Sequence, residues 1–182
     1  MQTEKITERI VSWLKDYAQK ANVKGYIIGV SGGVDSGVVS TLCAMTGLKV
    51  IAVEMPIRQK ADQVNRALEH IQFLENKFPN VEGKSVDLNE PFEALYKTFD
   101  VKDDEFPAEK LAFANTRARL RMLTLYYYGQ INGLLVCGTG NKVEDFGIGF
   151  YTKYGDGGVD VSPIADLYKT EVYALARSLD LP

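Results

Sequence analysis

Apolar positions in this chain come in two textures. Tyr26–Val30, Leu48–Val53 and Leu134–Cys137 are short, nearly unbroken apolar runs, the signature of strands buried on both faces of a parallel sheet. Between them, apolar residues recur at helical spacing. Ile6, Ile10, Trp13, Leu14 and Tyr17 predict an amphipathic helix over about residues 3–21, ended by Asn22 and Gly25. Gly37–Met45 reads as a short helix closed by Gly47. Ala61, Val64, Leu68, Ile71 and Phe78 mark a helix over roughly 61–78, which Pro79 and Asn80 break. Lys84–Leu88 reads as a further strand, and Asn89 caps the next helix with Pro91 in its first turn. A helix over about 108–128 and a last one opened by Lys169 complete the pattern. Such alternation predicts an α/β fold, a parallel sheet with helices on both faces.

The turn between the first strand and its helix is Ser31-Gly32-Gly33-Val34-Asp35-Ser36. Two glycines let the backbone turn sharply and converge N–H groups on an anion, and the positive end of the following helix faces the same point. Ser31 and Ser36 add hydroxyl donors. Lys is missing from the position that a Walker loop requires, and the glycine spacing is not that of a dinucleotide fingerprint. Asp35 would repel a phosphate unless a cation bridged them, so the loop implies a divalent metal.

Ligands in open α/β sheets bind beyond the carboxyl ends of the strands. Three other segments fall there. Arg58 follows the second strand and either reaches a phosphate or base or remains a solvated loop charge. Gly138–Glu144 follows the last strand and would set Thr139 and Glu144 facing the glycine loop if the two strands are neighbours. Residues 147–160 are too rich in glycine for a helix or strand but carry Tyr, Thr, Lys and Asp, as a mobile binding loop does. On the helix over 108–128, Asn115 and Arg119 share the stripe of Leu111, Ala118, Met122, Leu125 and Tyr126, while Arg117 and Arg121 point elsewhere. A charge on a packing face needs a partner: an internal carboxylate, a ligand or a symmetry mate. Tyr126-Tyr127-Tyr128 close that helix, more aromatic surface than one core face takes, which suggests a subunit interface.

Composition narrows the classes. The 182 residues suit one domain over 1–182, and 46% hydrophobic with 25% charged residues suits a soluble globule with a core. A net charge of −3 without any basic block argues against a nucleic-acid partner. No apolar run has membrane-spanning length and the N-terminus is charged, so a cytoplasmic setting is expected. Cys43 and Cys137 read as buried, reduced thiols, and without a CxxC pair neither zinc nor a redox pair is expected. His70, the one histidine, is placed on the polar side of its helix, exposed to solvent. No Ser/His/Asp or Cys/His constellation can be built around it, which disfavours covalent nucleophilic catalysis. Residues 100–107 read as an acidic, solvated connector.

SGGVDS resembles the loop of the ATP pyrophosphatases, which cleave ATP between the α- and β-phosphates. With NTRARLRM, GTGNKVE, GFYTKYGDGGVD and SPIADLYKTEV, the chain from about Ile6 to Pro182 resembles the bacterial, ammonia-dependent NAD synthetases. That resemblance implies a Rossmann-like fold of the adenine nucleotide alpha hydrolase type. It implies ATP-dependent amidation of deamido-NAD to NAD through an acyl adenylate, with ammonia as nitrogen donor and AMP and pyrophosphate released. Carried over by motif, Ser31, Gly32, Gly33, Val34, Asp35 and Ser36, with Arg58, Thr139 and Lys169, would bind ATP. Asp35 and Glu144 would hold Mg²⁺, and Asp35 and Lys169 would act at the reacting phosphates. Asn115, Arg119, Lys153, Asp156 and Asp160 would bind deamido-NAD, in a homodimer. The loop register after Glu144 departs from some relatives. Relatives also continue past the position of Pro182, so a C-terminally shortened chain is expected. Alternatives are another ATP-pyrophosphatase amidating ligase, similar to GMP synthetase, or a nucleotide-binding fragment without turnover.

Overall fold

The computed structural model of the chain describes residues 2–99 and 106–182. The elements run α1 (Thr3–Lys20), β1 (Gly25–Gly29), α2 (Val34–Met45), β2 (Lys49–Glu54), α3 (Ala61–Lys77), β3 (Val81–Ser85), α4 (Asn89–Thr98), α5 (Pro107–Asn132), β4 (Leu134–Cys137) and α6 (Lys169–Ser178), with a π-helical turn at Lys142–Gly147 before α6. The four strands form one parallel sheet in the order β3-β2-β1-β4. The chain moves from β1 to β2 and β3 on one side, then crosses to β4 on the other. The crevice between the turns after β1 and β4 is therefore the switch point at which doubly wound sheets bind ligands.

Side chains alternate across the sheet. Tyr26 and Ile28 of β1 meet Leu14, Val39, Leu42, Val172 and Leu175 on one face. Ile27, with Ile51, Val53 and Val136, meets Phe92, Phe113, Met122 and Leu125 on the other. α3 joins the first face through Ala67, Ile71 and Leu74, against Val30 and Ala52. Tyr26 is fully buried, and its hydroxyl is satisfied by donating to the Leu14 carbonyl at 2.6 Å. On the α5 face, Phe92 is also fully buried, and truncating such a ring to Ala costs about 3–5 kcal/mol. α5 lies close on β1 because Gly129 faces it: a Cβ there would stand 3.1 Å from the Leu134 carbonyl oxygen and 3.2 Å from Ile27 Cγ2.

Several sequence expectations shift. β3 begins earlier than the Lys84–Leu88 run because pairing, not apolarity, defines it: Val81 sits opposite Val50 and Ser85 opposite Glu54. Backbone bonds continue past its end, from Val86 N–H to the Glu54 carbonyl and Leu88 N–H to the Pro56 carbonyl. α5 runs on to Asn132, where Gly133 caps it in the left-handed conformation, so the three tyrosines lie within the helix. Leu111 is exposed, not on the packing face. His70 is buried, and its Nε2 is 2.9 Å from the Ser40 hydroxyl on α2, which corrects the solvent-exposed placement. Its polar sequence neighbours conceal that the ring turns inward. Cys43 and Cys137 are both buried and free, as expected, and their sulfurs stand 3.5 Å apart. Residues 100–105 of the expected acidic connector lie outside the described residues.

Candidate active site

The glycine loop leaves β1 and enters α2 as the sequence pattern requires. Gly32 has φ +77, and a Cβ there would meet the Gln63 carbonyl oxygen at 2.9 Å, so glycine is needed for both conformation and space. The loop's donors are held by its own serines. Ser31 Oγ accepts from Gly33 N–H at 3.3 Å, Ser36 Oγ accepts from Ser31 N–H at 3.2 Å, and Ser36 Oγ donates to the Gly33 carbonyl at 2.9 Å. Val34 packs on the core and Asp35 opens the first turn of α2.

The turn after β4 meets this loop through Asn141, which is fully buried. Its Oδ1 accepts from Val143 and Glu144 N–H, both at 3.1 Å, capping the π-helical turn. Its Nδ2 donates to Asp35 Oδ1 at 3.2 Å. Lys169, the first residue of α6, completes the cluster, donating to Asp35 Oδ2 and, at 3.1 Å, to Glu144 Oε1. α6 is fixed there by Glu171, whose carboxylate accepts from Tyr168 N–H at 2.8 Å. Burial pulls the Lys169 pKa down, but its hydrogen bonds to Asp35 and Glu144 outweigh that and raise it. Nearby, Asp145 is pushed up by burial and by the charges of Asp156, Glu144 and Asp35. The site thus gathers more carboxylates than cations. Among the described residues no group of three or more His, Cys, Asp or Glu side chains forms a complete metal cage. Two carboxylates already sharing one cation do suit Mg²⁺, which takes one or two carboxylates and completes its shell with water and substrate phosphate.

A cavity of about 250 Å³ opens beside the loop, lined by Ser31, Thr139 and Asp156 together with Glu54, Met55, Gln59, Arg121, Met122 and Leu125. Thr139 is therefore where the sequence expected it. Arg58 is not among the lining residues. It forms a bidentate pair with Glu93, at 2.6 and 2.9 Å, and stacks over Tyr96 and Phe92. Gln59 beside it lines the cavity instead. The hydrogen bonds from Arg58, with its charge, hold the Glu93 carboxyl below its ordinary range.

The glycine-rich loop over 147–160 forms neither helix nor strand beyond its π-helical start. Arg119 on α5 finds its partners there: Nε donates to the Lys153 carbonyl at 3.1 Å and Nη2 to the Thr152 hydroxyl at 3.0 Å. Asp156 Oδ1 accepts from Thr152 N–H at 2.9 Å. The Lys153 ammonium lies over the Tyr154 ring, and Asn115 is half-buried one turn before Arg119. Asp160 is exposed; its Oδ2 accepts from Val136 N–H at 2.7 Å and its Oδ1 from the Tyr126 hydroxyl at 3.1 Å. An extra parallel bridge, Cys137 to Val161, draws this segment onto β4. Burial, with the charge of Asp160, pushes the Tyr126 phenol up to about 12.

Asn141, Glu54 and Arg121 lie in the site although the sequence reading gave them no role. Asn141 could have been found as an N-cap residue type directly after a Gly-Thr-Gly turn. Glu54, at the carboxyl end of β2, is 2% exposed. Arg121 donates through Nε to the Met55 carbonyl at 3.0 Å. It faces the cavity, where helical spacing alone had it pointing away.

The NAD synthase family model matches residues 6–182. The NH(3)-dependent NAD(+) synthetase of Carboxydothermus hydrogenoformans is 42% identical over 180 residues, covering 98% of this chain and 71% of that protein. The structure of an NH3-dependent NAD synthetase from Campylobacter jejuni, in complex with nitrate, superposes with a TM-score of 0.87 at 34% identity, over all of this chain and 75% of that one. The NMN synthetase structure from Francisella tularensis superposes with a TM-score of 0.88 at 33% identity, over all of this chain and 72% of that one. On this sequence match along nearly its whole length, and on a fold that brings the glycine loop, Glu144 and Lys169 together, the chain belongs to the NAD synthase family.

Proposed function

We propose that the chain catalyses ATP-dependent amidation of deamido-NAD to NAD, with ammonia as nitrogen donor. The observation that carries this reading is the meeting of Asp35 and Glu144 on one cation, Lys169, at the mouth of a cavity that the glycine loop borders. A carboxylate is a poor electrophile because its oxygen is a poor leaving group. In the proposed reaction a nicotinate carboxylate oxygen attacks the α-phosphorus of ATP and pyrophosphate leaves. Ammonia then attacks the activated carbonyl, the C–O bond breaks, and AMP departs with its electron pair.

The residues divide that work. Backbone N–H groups of Ser31–Gly33 and the hydroxyls of Ser31 and Ser36 exchange their present partners for phosphate oxygens, aided by the N-terminus of α2. Thr139 borders the same space. Arg58 joins by exchanging Glu93 for phosphate. Asp35 and Glu144 would hold Mg²⁺, which supplies charge neutralisation at the phosphates when bound. Lys169, displaced from the two carboxylates, then pairs with the phosphates, where its charge favours developing negative charge over the ground state. Asn115, Arg119, Lys153, Asp156 and Asp160 would bind deamido-NAD, Asp160 also fixing the loop to β4 through Val136 N–H.

We also assign a homodimer through α5. Leu123, Tyr127 and Ile131 follow one another at i, i+4 and i+8 and are 67, 60 and 62% exposed, an apolar stripe on a helix whose other face is packed. Among the described residues no helix is long and apolar enough to cross a membrane.

The test is product stoichiometry. Deamido-NAD, ATP, Mg²⁺ and an ammonium salt should give NAD, AMP and pyrophosphate in equal amounts. Turnover with nicotinate mononucleotide but not deamido-NAD would move the chain to the NMN synthetase activity instead. ATP binding without AMP formation would leave a nucleotide-binding fragment.

A further inference from the structure

Glu54 has no role in the reading above, yet its environment is costly. It is almost completely buried at the end of β2, with Oε2 satisfied by the Ser85 hydroxyl at 2.7 Å and Oε1 without a hydrogen-bond partner among the described residues. A buried acceptor left unpaired costs about 1–3 kcal/mol, more when charged. Glu54 lines the cavity beside the glycine loop, and so does Arg121. The two lie close enough for each charge to act on the other. Arg121 spends Nε on the Met55 carbonyl, and its other guanidinium N–H groups have no hydrogen-bond partner among the described residues. Two residues of the cavity lining thus carry, near one another, an unpaired buried acceptor and unpaired donors among the described residues.

At about 250 Å³ the space lies just below the roughly 300–1,000 Å³ of pockets that take whole small molecules, so it suits one ring system. Met55, Ala67, Ala118, Leu125 and Val159 supply apolar walls. Ser31 and Thr139 at its edge join it to the phosphate loop, which places a ring here at the base end of ATP. A 6-amino purine offers an N6–H donor beside a ring-nitrogen acceptor, and a 6-oxo purine puts an acceptor at C6. We propose that Glu54 and Arg121 together read the 6-amino edge of the ATP purine, Glu54 accepting from N6–H and Arg121 donating to the adjacent ring nitrogen, and so exclude 6-oxo purines. This rests on the cavity being part of the ATP site. With ITP, the O6 lone pairs would face the Glu54 carboxylate, and both acceptors would lose their donors.

The test is equilibrium binding of Mg²⁺–ATP, Mg²⁺–ITP and Mg²⁺–purine riboside triphosphate, which has no group at C6, to the whole chain by calorimetry, without deamido-NAD. Wild type should bind ATP at least about tenfold tighter than ITP, the lower end of what one good base contact discriminates. Glu54→Gln can turn an amide donor toward O6. It should bring the two nucleotides within about threefold and leave purine riboside triphosphate binding unchanged. An unchanged ATP-to-ITP ratio in Glu54→Gln would overturn the proposal, as would equal weakening of all three nucleotides, which marks a merely structural residue. Arg121→Lys should lower the same ratio. If wild type binds no ATP, this inference falls with the ATP-site reading. If ATP binds and NAD forms while the ratio stays fixed, this inference falls alone.

Discussion

Asp35 and Glu144 are held together through one ammonium, that of Lys169, and through one amide, Asn141, which caps the turn of Glu144 while donating to Asp35. β1 and β4 are neighbours in the sheet, and adjacent strands lie about 4.8 Å apart. The turns that leave them therefore bring two carboxylates into reach of a single cation. Alone they would repel a triphosphate.

Asp35→Asn and Glu144→Gln should each raise the Mg²⁺ concentration for half-maximal pyrophosphate release, by about tenfold for the loss of one ligand. Melting temperature should move little by comparison. Wild-type Mg²⁺ dependence in Glu144→Gln would return that residue to favouring the start of its own helical turn, an effect of about 0.3–1 kcal/mol.

Lys169→Met separates two roles. Without the competing ammonium, the metal-binding carboxylates should take up Mn²⁺ more tightly when nucleotide is absent, measured by electron paramagnetic resonance. Adenylate formation should fall by about 10²-fold or more, since a cation at the reacting phosphates is lost. A variant that binds Mn²⁺ no better than wild type would show that Lys169 does not compete for the site.

Asp160→Ala should act on both the fold and the ligand. The carboxylate satisfies Val136 N–H and Tyr126 OH, so leaving them unpaired should cost about 1–3 kcal/mol in denaturant unfolding. KM for deamido-NAD measured on the folded fraction should rise as well. A lower stability with KM unchanged would confine Asp160 to packing.

His70 should give stability a pH dependence. Burial lowers its pKa from the ordinary value of about 6.5. Between that value and the depressed native one, the unfolded chain binds the extra proton, so stability rises with pH there. The contribution is complete above about 6.5 and is lost as pH falls through the native value. His70→Gln, which keeps a group able to meet the Ser40 hydroxyl, should flatten the denaturation midpoint between pH 5 and 7, roughly the range in which imidazoles titrate.

The dimer is tested by sedimentation. Leu123→Asp with Ile131→Asp should weaken association by more than about tenfold, because charges then replace apolar surface at the centre of the stripe. Wild type sedimenting as a monomer at micromolar concentration would contradict the assignment.

The parallel sheet was legible because buried strands read as apolar runs and the helices between them are amphipathic. β3 was placed late because an edge strand with Glu82, Gly83 and Lys84 carries little apolar signal, and its register comes from β2. The glycine loop, Thr139, Glu144 and Lys169 were legible as motif, but that Lys169 joins the two carboxylates depends on where α6 docks. The periodicity of α5 favoured Arg119 over Arg121 as the inward-facing charge, yet Arg121 is the one that lines the cavity. Which one meets the cavity depends on the neighbouring elements: the Met55 carbonyl takes Arg121, and the loop at Thr152 and Lys153 takes Arg119. His70 misled for a related reason, since its ring is satisfied by Ser40, a residue distant in sequence.

The central claim, that nicotinate is activated by transfer to the α-phosphorus of ATP, is tested most directly by isotope transfer. Deamido-NAD carrying ¹⁸O in its nicotinate carboxylate is incubated with ATP, Mg²⁺, ammonium and the chain, and products are resolved by mass spectrometry. One ¹⁸O atom should appear in the AMP phosphate and one remain in the NAD amide, with none in pyrophosphate. Unlabelled AMP, or label in inorganic phosphate with ADP as the second product, would contradict it.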